Sequence, residues 1–396
     1  MRVMGQPPDT YQIGVVPLLT ALTAREWDAC AGTDNPFVSY AFLSSLEESG
    51  CVGERAGWVP LHIVVRNQAG ELVGVAPCYL KSHSQGEYVF DHGWAQAYEN
   101  AGGSYYPKLQ VSVPFTPATG PRLLAKNNDP AIKQALIGGL QALCGEVEAS
   151  SIHLTFLPEI DWKALGAQGF LQRQDEQFHW INNNYTQYED FLASLQSRKR
   201  KALRKERAAA LGNGITIRHV TGRDIREADW DAFFEFYMDT GARKWGRPYL
   251  NRRFFSLIGE RMADQILLVM ADRAGRPIAG AINFIGSDAL YGRNWGAIED
   301  HPFLHFEVCY HQAIDFAIAR GLKRVEAGAQ GEHKLARGYA PATTYSAHWI
   351  ADPALRRGVS DYLDHERAHM QRVHQELAAH TPFRKIDTDQ ATQERE

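Results

Sequence analysis

No run of about 18 apolar residues occurs anywhere in this 396-residue chain, so nothing in it reads as a membrane-spanning helix. Cysteine is scarce. Cys30, Cys51, Cys78, Cys144 and Cys309 are odd in number, far apart and without a Cys-x-x-Cys pair, which supports neither a disulfide framework nor a zinc knuckle. A reducing cytoplasm is the expected compartment. The apolar patch from Ile13 to Leu22 is interrupted by Pro17 and followed closely by Arg25, Glu26 and Asp28, unlike a signal peptide. An excess of one charge sign is also missing. The net charge of −4 argues against general nucleic-acid binding while leaving room for a local basic patch. The absence of a Gly-x-Ser-x-Gly elbow, a Walker loop and a strand-linked Gly-x-Gly-x-x-Gly removes the common hydrolase, P-loop and Rossmann readings. His301, His305, Glu307 and His311 crowd one helix start, but without His-Glu-x-x-His spacing, so no metal is expected.

What remains is an ordinary globular composition, 44% hydrophobic and 22% charged with nine tryptophans, on a chain long enough for two cores. Two segments about 205 residues apart match locally: Gln68-Ala-Gly-Glu-Leu-Val-Gly-Val-Ala76 and Arg273-Ala-Gly-Arg-Pro-Ile-Ala-Gly-Ala281. Each follows a strand candidate, Leu61 to Val65 or Gln265 to Met270, and turns at Gly70 or Gly275. Upstream of each stands a Trp-Asp-Ala helix, at Trp27 and Trp230, which points to an internal duplication. The capping box of Thr23 and Glu26, helices over 39–49, 130–149, 224–240, 252–262, 306–320 and 353–380, and strands at 152–156, 265–295 and 325 complete the reading. Helix, helix, strands, helix, strand, given twice, predicts a mixed α/β or α+β fold of two units, 1–185 and 186–380, each a mixed sheet flanked by helices. Residues 381–396 are expected to be a frayed, charged tail.

The densest chemistry lies in Val325 to Trp349. There Gly328 and Gly331 permit tight turns, and Glu332, His333, Lys334 and Arg337 bring a base, a possible acid and two cations together. Arg243-Lys-Trp-Gly-Arg-Pro-Tyr249 combines anion-binding Arg243 and Lys244 with the stacking face of Trp245, and Tyr291-Gly-Arg-Asn-Trp295 repeats that chemistry through Arg293 and Trp295. In the first half, Tyr79 to Tyr88, Phe90, Asp91, Trp94, Tyr105 to Leu109 and Pro114 to Pro117 mix aromatics with Lys, His and Pro, as pocket linings do. Between the halves, Arg198 to Arg207 carries seven cations against the single Glu206, a repulsion that an anionic ligand would relieve.

These residues carry a resemblance. Asn35-Pro-Phe37 with Leu46-Glu-Glu-Ser-Gly50, the stretch Tyr79 to Asp91, Tyr105 to Gln110, Pro114 to Leu124, Ser197 to Arg207, Lys244 to Leu250 and Glu326 to Tyr339 resemble, over nearly the whole chain, the bacterial FemAB-like family. That family belongs to the GNAT superfamily of N-acyltransferases and is associated with peptidoglycan biosynthesis or recognition. The resemblance implies tandem GNAT-like domains, with the basic helix 197–207 leading into the second. It also implies that Gly328, Lys334, Arg337, Gly338 and Tyr339 form the segment that closes the site, Lys334 contacting an anion or the acyl donor. One departure stands out: the Arg/Gln-x-x-Gly-x-Gly/Ala turn that cradles the CoA pyrophosphate in typical GNAT enzymes has no convincing copy in either half.

The expected activity is therefore N-acyl transfer, in which a small-molecule primary amine attacks the carbonyl of an acyl donor. Glu332 or His333 is the expected general base, Glu326 a further candidate, and Tyr339 the leaving-group acid. Arg243, Lys244, Trp245, Arg293, Lys334 and Arg337 would position donor or acceptor, with Trp295 beside them and backbone N–H groups near Gly328 to Gly331 as oxyanion donors. No bound cofactor is expected; acyl-CoA is the expected co-substrate. The alternatives are an aminoacyl-tRNA-dependent transfer to a peptidoglycan precursor, in which tRNA would occupy the basic helix, and a non-enzymatic binding protein.

Overall fold

The structure is a computed structural model that describes residues 11–244, 248–328, 332–379 and 381–384. Its first half contributes strands β1 (Gln12–Val16), β2 (Trp58–Pro60), β3 (His62–Arg66), β4 (Leu72–Ala76), β5 (Cys78–Lys81), β6 (Lys108–Val111), β7 (Leu124–Ala125), β8 (Ser151–Leu157) and β9 (Leu171–Ile181). The second half contributes β10 (Ile215–Thr221), β11 (Ile266–Arg273), β12 (Arg276–Ile285), β13 (Ala289–Ala297), β14 (Arg324–Glu326) and β15 (Ala340–Ile350). Local chemistry sets many of their boundaries. Thr23 and Glu26 close the expected capping box, Ser39 caps the helix Tyr40–Glu48, and Asp129 with Pro130 opens the helix Pro130–Glu146. Gly70 and Gly275 turn the two matching hairpins at φ +79° and +75°, where a side chain would be strained. Trp27 and Trp230, the other mark of duplication, are both buried in one core cluster.

The strands form a four-stranded sheet, β1-β3-β4-β7, and an eleven-stranded sheet, β10-β11-β12-β13-β14-β9-β15-β8-β6-β5-β2. The large sheet runs through both halves because their last strands are exchanged. β9, from the first half, pairs antiparallel with β14 of the second. β15, from the second half, pairs antiparallel with β8 of the first. The two exchanged strands pair with each other over nine registered positions from Ala340↔His179 to His348↔Leu171.

The register puts polar residues on one face of the middle of this sheet. Lys81 lies opposite Lys108 and Tyr79 opposite Gln110, Gln110 beside His153, His153 opposite His348, Ser346 opposite Arg173, and His179 opposite Glu326. The other face carries Leu109, Val111, Ile152 and Leu154, which pack into an apolar cluster. Alternation of this kind in β6 and β8 is the period-2 signature of a sheet with two unlike faces.

Two expectations are revised, and two strands are added. The helix expected over 306–320 is interrupted: Leu304–Phe306 leads into a π-type turn over Glu307–His311 before Gln312–Ala319 resumes. The turn widens where Glu307 and His311 are buried against partners on the basic helix. The start of the C-terminal tail is docked, with Phe383 bridging Leu195 and packing on Phe191 at 6.5 Å between ring centroids. Residues 171–181 and 340–350, left unassigned by the sequence reading, are long strands.

Candidate functional site

The large sheet parts in the second half. β13 and β14 run parallel and pair from Ala289↔Arg324 to Tyr291↔Glu326. Beyond that point β14 ends, while β13 continues to Ala297, paired with β12 on its other side. The edge of Gly292–Gly296 facing the gap therefore has no strand partner among the described residues. Gly292 stands at the fork, where an added Cβ would lie 3.3 Å from Asn283 Oδ1 and 3.6 Å from the Glu326 carbonyl.

In the first half the parallel pair β6 and β8 parts after Val111↔Leu154, yet there the gap is filled. The Gly120 N–H donates to the Phe156 carbonyl at 3.0 Å. Fully buried Arg122 donates from Nε to the Thr155 carbonyl at 3.0 Å and from Nη2 to that of Ala118 at 2.7 Å. The loop Pro114–Arg122 thus occupies in the first half the space that no strand of the described residues fills in the second.

Beside the open gap lies the glycine-led segment. Gly328 takes φ +78°, and the 3-10 turn Glu332–Arg337 follows. Lys334 is buried at 1% exposure and donates to the Gly328 carbonyl at 2.9 Å. No carboxylate pairs with it among the described residues, and burial pushes its ammonium down to about 8. Arg337 is committed: it grips Glu206 through Nε and Nη2 at 2.8 and 2.7 Å, donates to the His333 carbonyl, and lies over the Phe306 ring. His333 is exposed, with Nε2 2.9 Å from the Tyr310 hydroxyl. Tyr339 is fully buried against Tyr310, its hydroxyl without a hydrogen-bond partner among the described residues, and burial holds its phenol well above the usual range. Glu326 sits on the opposite, polar face of the sheet, bonded to Arg324 at 2.9 Å and 3.9 Å from His179.

The remaining expected residues scatter. Arg293 projects toward the first half, donating to the Phe115 carbonyl at 2.5 Å, and burial lowers its pKa. Trp295 lies beside His305, with ring centroids 5.1 Å apart. Arg243 and Lys244 end the helix Glu227–Lys244, and Glu332 opens its turn. Trp245 and Gly331 lie outside the described residues. Among the described residues no three His, Cys, Asp or Glu side chains are gathered as metal ligands.

The basic stretch is the helix Ser197–Ala210. Leu203 and Ala210 face inward, and Arg207 is tied to Glu307 and Asp315 at 2.8 and 2.6 Å. Glu206 bridges Arg337 and His311. Arg198, Lys201, Arg204 and Lys205 face solvent, Arg204 paired with Glu189. The helix is thus anchored to the site's turn by one face and presents cations on the other.

Sequence reasoning saw the unusual Lys and His content of the first half without seeing its arrangement. Lys108 is fully buried and contacts Asp91 at 2.5 Å, Glu87 at 2.7 Å and Ser84 at 2.8 Å. Burial alone would raise both carboxyls, and it carries Glu87 up to about 7, but Lys108 holds Asp91 below the usual range. Burial also pushes Lys81 down to about 7. His153 continues the network to His348 at 2.7 Å between Nδ1 atoms. The missed signal was the alternation of Lys108 and Gln110 with Leu109 and Val111, which marks one polar face.

Repetition of helices and strands in two halves, with parallel strands that part, defines a tandem GNAT-like mixed α/β protein. The chain belongs to the FemAB-like family, described as peptidoglycan biosynthesis/recognition, whose model matches residues 18–385. Among solved structures it is similar to FemX, with a TM-score of 0.54 and 13% identity over 86% of this chain and 98% of that one. L-PGS from Bacillus licheniformis gives 0.50 and 10% over 84% and 98%. The C-terminal domain of a putative lysylphosphatidylglycerol synthetase from Agrobacterium fabrum gives 0.51 and 9% over 86% and 95%. At such identities the likeness is one of fold. No curated protein matches the chain. No helix among the described residues is long and apolar enough to cross a membrane.

Proposed function

We propose that the protein is an N-acyltransferase whose donor site is the gap between β13 and β14. A single observation carries this reading: among the described residues the edge Gly292–Gly296 has no strand partner and lies beside the buried Lys334, which has no carboxylate partner. An apolar pocket lowers the stability of an ammonium, so a lysine held there at about 8 gains most from an anion that arrives with the substrate. Lys334 would face the donor's phosphate or the oxyanion of the tetrahedral intermediate. In the reaction an amine nitrogen bonds to the acyl carbon, the acyl–oxygen or acyl–sulfur bond breaks, and one proton passes from nitrogen to the leaving group. His333, exposed and fixed by Tyr310, is the proposed proton acceptor.

Acyl-CoA and aminoacyl-tRNA remain the two donor classes, and two observations favour tRNA. The helix Ser197–Ala210 presents exposed cations while being bonded through Glu206 to the turn that holds Lys334. Glu299 and Asp300 precede the helix that opens at Leu304, the place where a helix start would otherwise take a pyrophosphate. The acceptor would be an amine of a peptidoglycan precursor, in keeping with the family description. The test is transfer of radiolabel from charged tRNA, and separately from acetyl-CoA, into an acid-stable amide on a muropeptide precursor. Amide formation lost in Lys334→Ala supports the reading; label released only to water, from either donor, contradicts it.

A further inference from the structure

All five cysteines are thiols, and Cys30, Cys51, Cys78 and Cys144 are buried. Burial pushes Cys30 and Cys144 up to about 11 and raises Cys51 and Cys78 as well. At pH 7 a thiol at about 11 is thiolate to roughly one part in ten thousand, against a few per cent for an ordinary one at about 8.5. Those four are therefore inert. Cys309 differs, because it is half-buried.

Cys309 lies within the π-type turn Glu307–His311, an irregularity that often accompanies functional sites. The turn is fixed at both ends. Arg207 holds Glu307 at 3.0 Å, while Glu206 and the Tyr188 hydroxyl hold His311 at 2.9 and 2.7 Å. Cys309 packs against the core cluster that contains Tyr310 and Tyr339. It is also near enough to Lys334, Tyr310 and Tyr339 for its charge to act on all three. A cation beside a thiol favours the thiolate, the form that attacks electrophiles and peroxides. A second observation concerns Tyr339, whose side chain is fully buried and whose hydroxyl has no hydrogen-bond partner among the described residues. An oxygen added to the Cys309 sulfur would give that hydroxyl a partner and Lys334 an anion.

Resting on the reading of Lys334 as a donor contact, we propose that Cys309 is a modification site oxidised by peroxides, its added oxygen pairing with Lys334 and so withdrawing that cation from the donor. The thiolate sulfur attacks one peroxide oxygen, the oxygen–oxygen bond breaks, and the departing hydroxide takes a proton to become water. Sulfur loses two electrons, the peroxide gains them, and a sulfenic acid remains. A second thiol reverses the change by way of a disulfide.

The experiment uses the full chain with neither donor nor acceptor, so its outcome is separate from whether acyl transfer occurs. Native protein at pH 7 is treated with iodoacetamide, or with hydrogen peroxide and dimedone, which traps sulfenic acids, and each cysteine peptide is quantified by mass spectrometry. Cys309 should be alkylated at least tenfold faster than each of the other four and should carry the dimedone adduct. Both reactions should slow at least fivefold in Lys334→Met, whose fold circular dichroism checks. Peroxide alone should raise the melting temperature of the wild type, which gains an ion pair, and not that of Cys309→Ser or Lys334→Met. Alkylation led by another cysteine or spread evenly, no dimedone adduct on Cys309, rates indifferent to Lys334→Met, or no rise in the wild-type melting temperature would each overturn the proposal.

Discussion

Lys334, proposed above to face the donor, opposes stability. Its folded pKa of about 8 lies below the ordinary lysine value of 10.5, so the buried ammonium destabilises the fold fully below pH 8. That cost disappears as pH rises from 8 through 10.5, because the unfolded chain then binds more protons than the folded one. Lys334→Met should therefore stabilise the protein at pH 7 by about 2 kcal/mol, with the gain fading toward pH 10.5, while donor binding is lost. Urea unfolding at pH 7 and pH 10 checks this. The opposite holds for Lys108. Lys108→Met leaves Glu87 and Asp91 buried without their cation, and the expected loss is roughly 3–5 kcal/mol in the same assay at pH 7. At this scale the sequence showed which residue types were unusual, because Lys and His are costly to bury. It could not show that Arg337 is consumed by Glu206 while Lys334 has no carboxylate partner among the described residues. That distinction depends on Glu206, 131 residues away along the chain.

Among the elements, those governed by short-range chemistry were legible. The Thr23 box, the Ser39 cap and the two hairpins at Gly70 and Gly275 all stand where their residues place them. The π-type turn over Glu307–His311 was not legible, since it answers to partners on another helix. The basic helix was seen as a charge run, but its two-sidedness was not. That two-sidedness yields a prediction: Lys201→Glu with Lys205→Glu should leave the melting temperature unchanged and weaken tRNA binding. The slope of log K against log salt should fall by about 0.7–0.9 per lost phosphate contact. Filter binding at three salt concentrations measures it. Glu206→Ala should instead affect both stability and the site, because it releases Arg337 and His311 together.

Over the whole molecule, the duplication was readable from Trp27 and Trp230 and the matched hairpins, whereas the exchange of β9 and β15 was not. Pairing between residues as far apart as His153 and His348 leaves no local mark in sequence. The exchange makes the halves interdependent, since each closes the other's sheet with its own last strand. Chains 1–185 and 186–396 produced separately should each aggregate, yet co-purify as a one-to-one complex when made together, which light scattering would detect. The pseudo-symmetric halves also differ in one decisive respect, the loop Pro114–Arg122 that fills the first gap. The central claim is that the second gap, with Lys334 beside it, holds the acyl donor. Calorimetric titration of wild-type and Lys334→Ala protein with charged tRNA and with acetyl-CoA tests it most directly. The account predicts saturable binding of one donor to the wild type, weakened at least tenfold in the variant. Equal binding to both proteins, or no binding of either donor to the wild type, would contradict it.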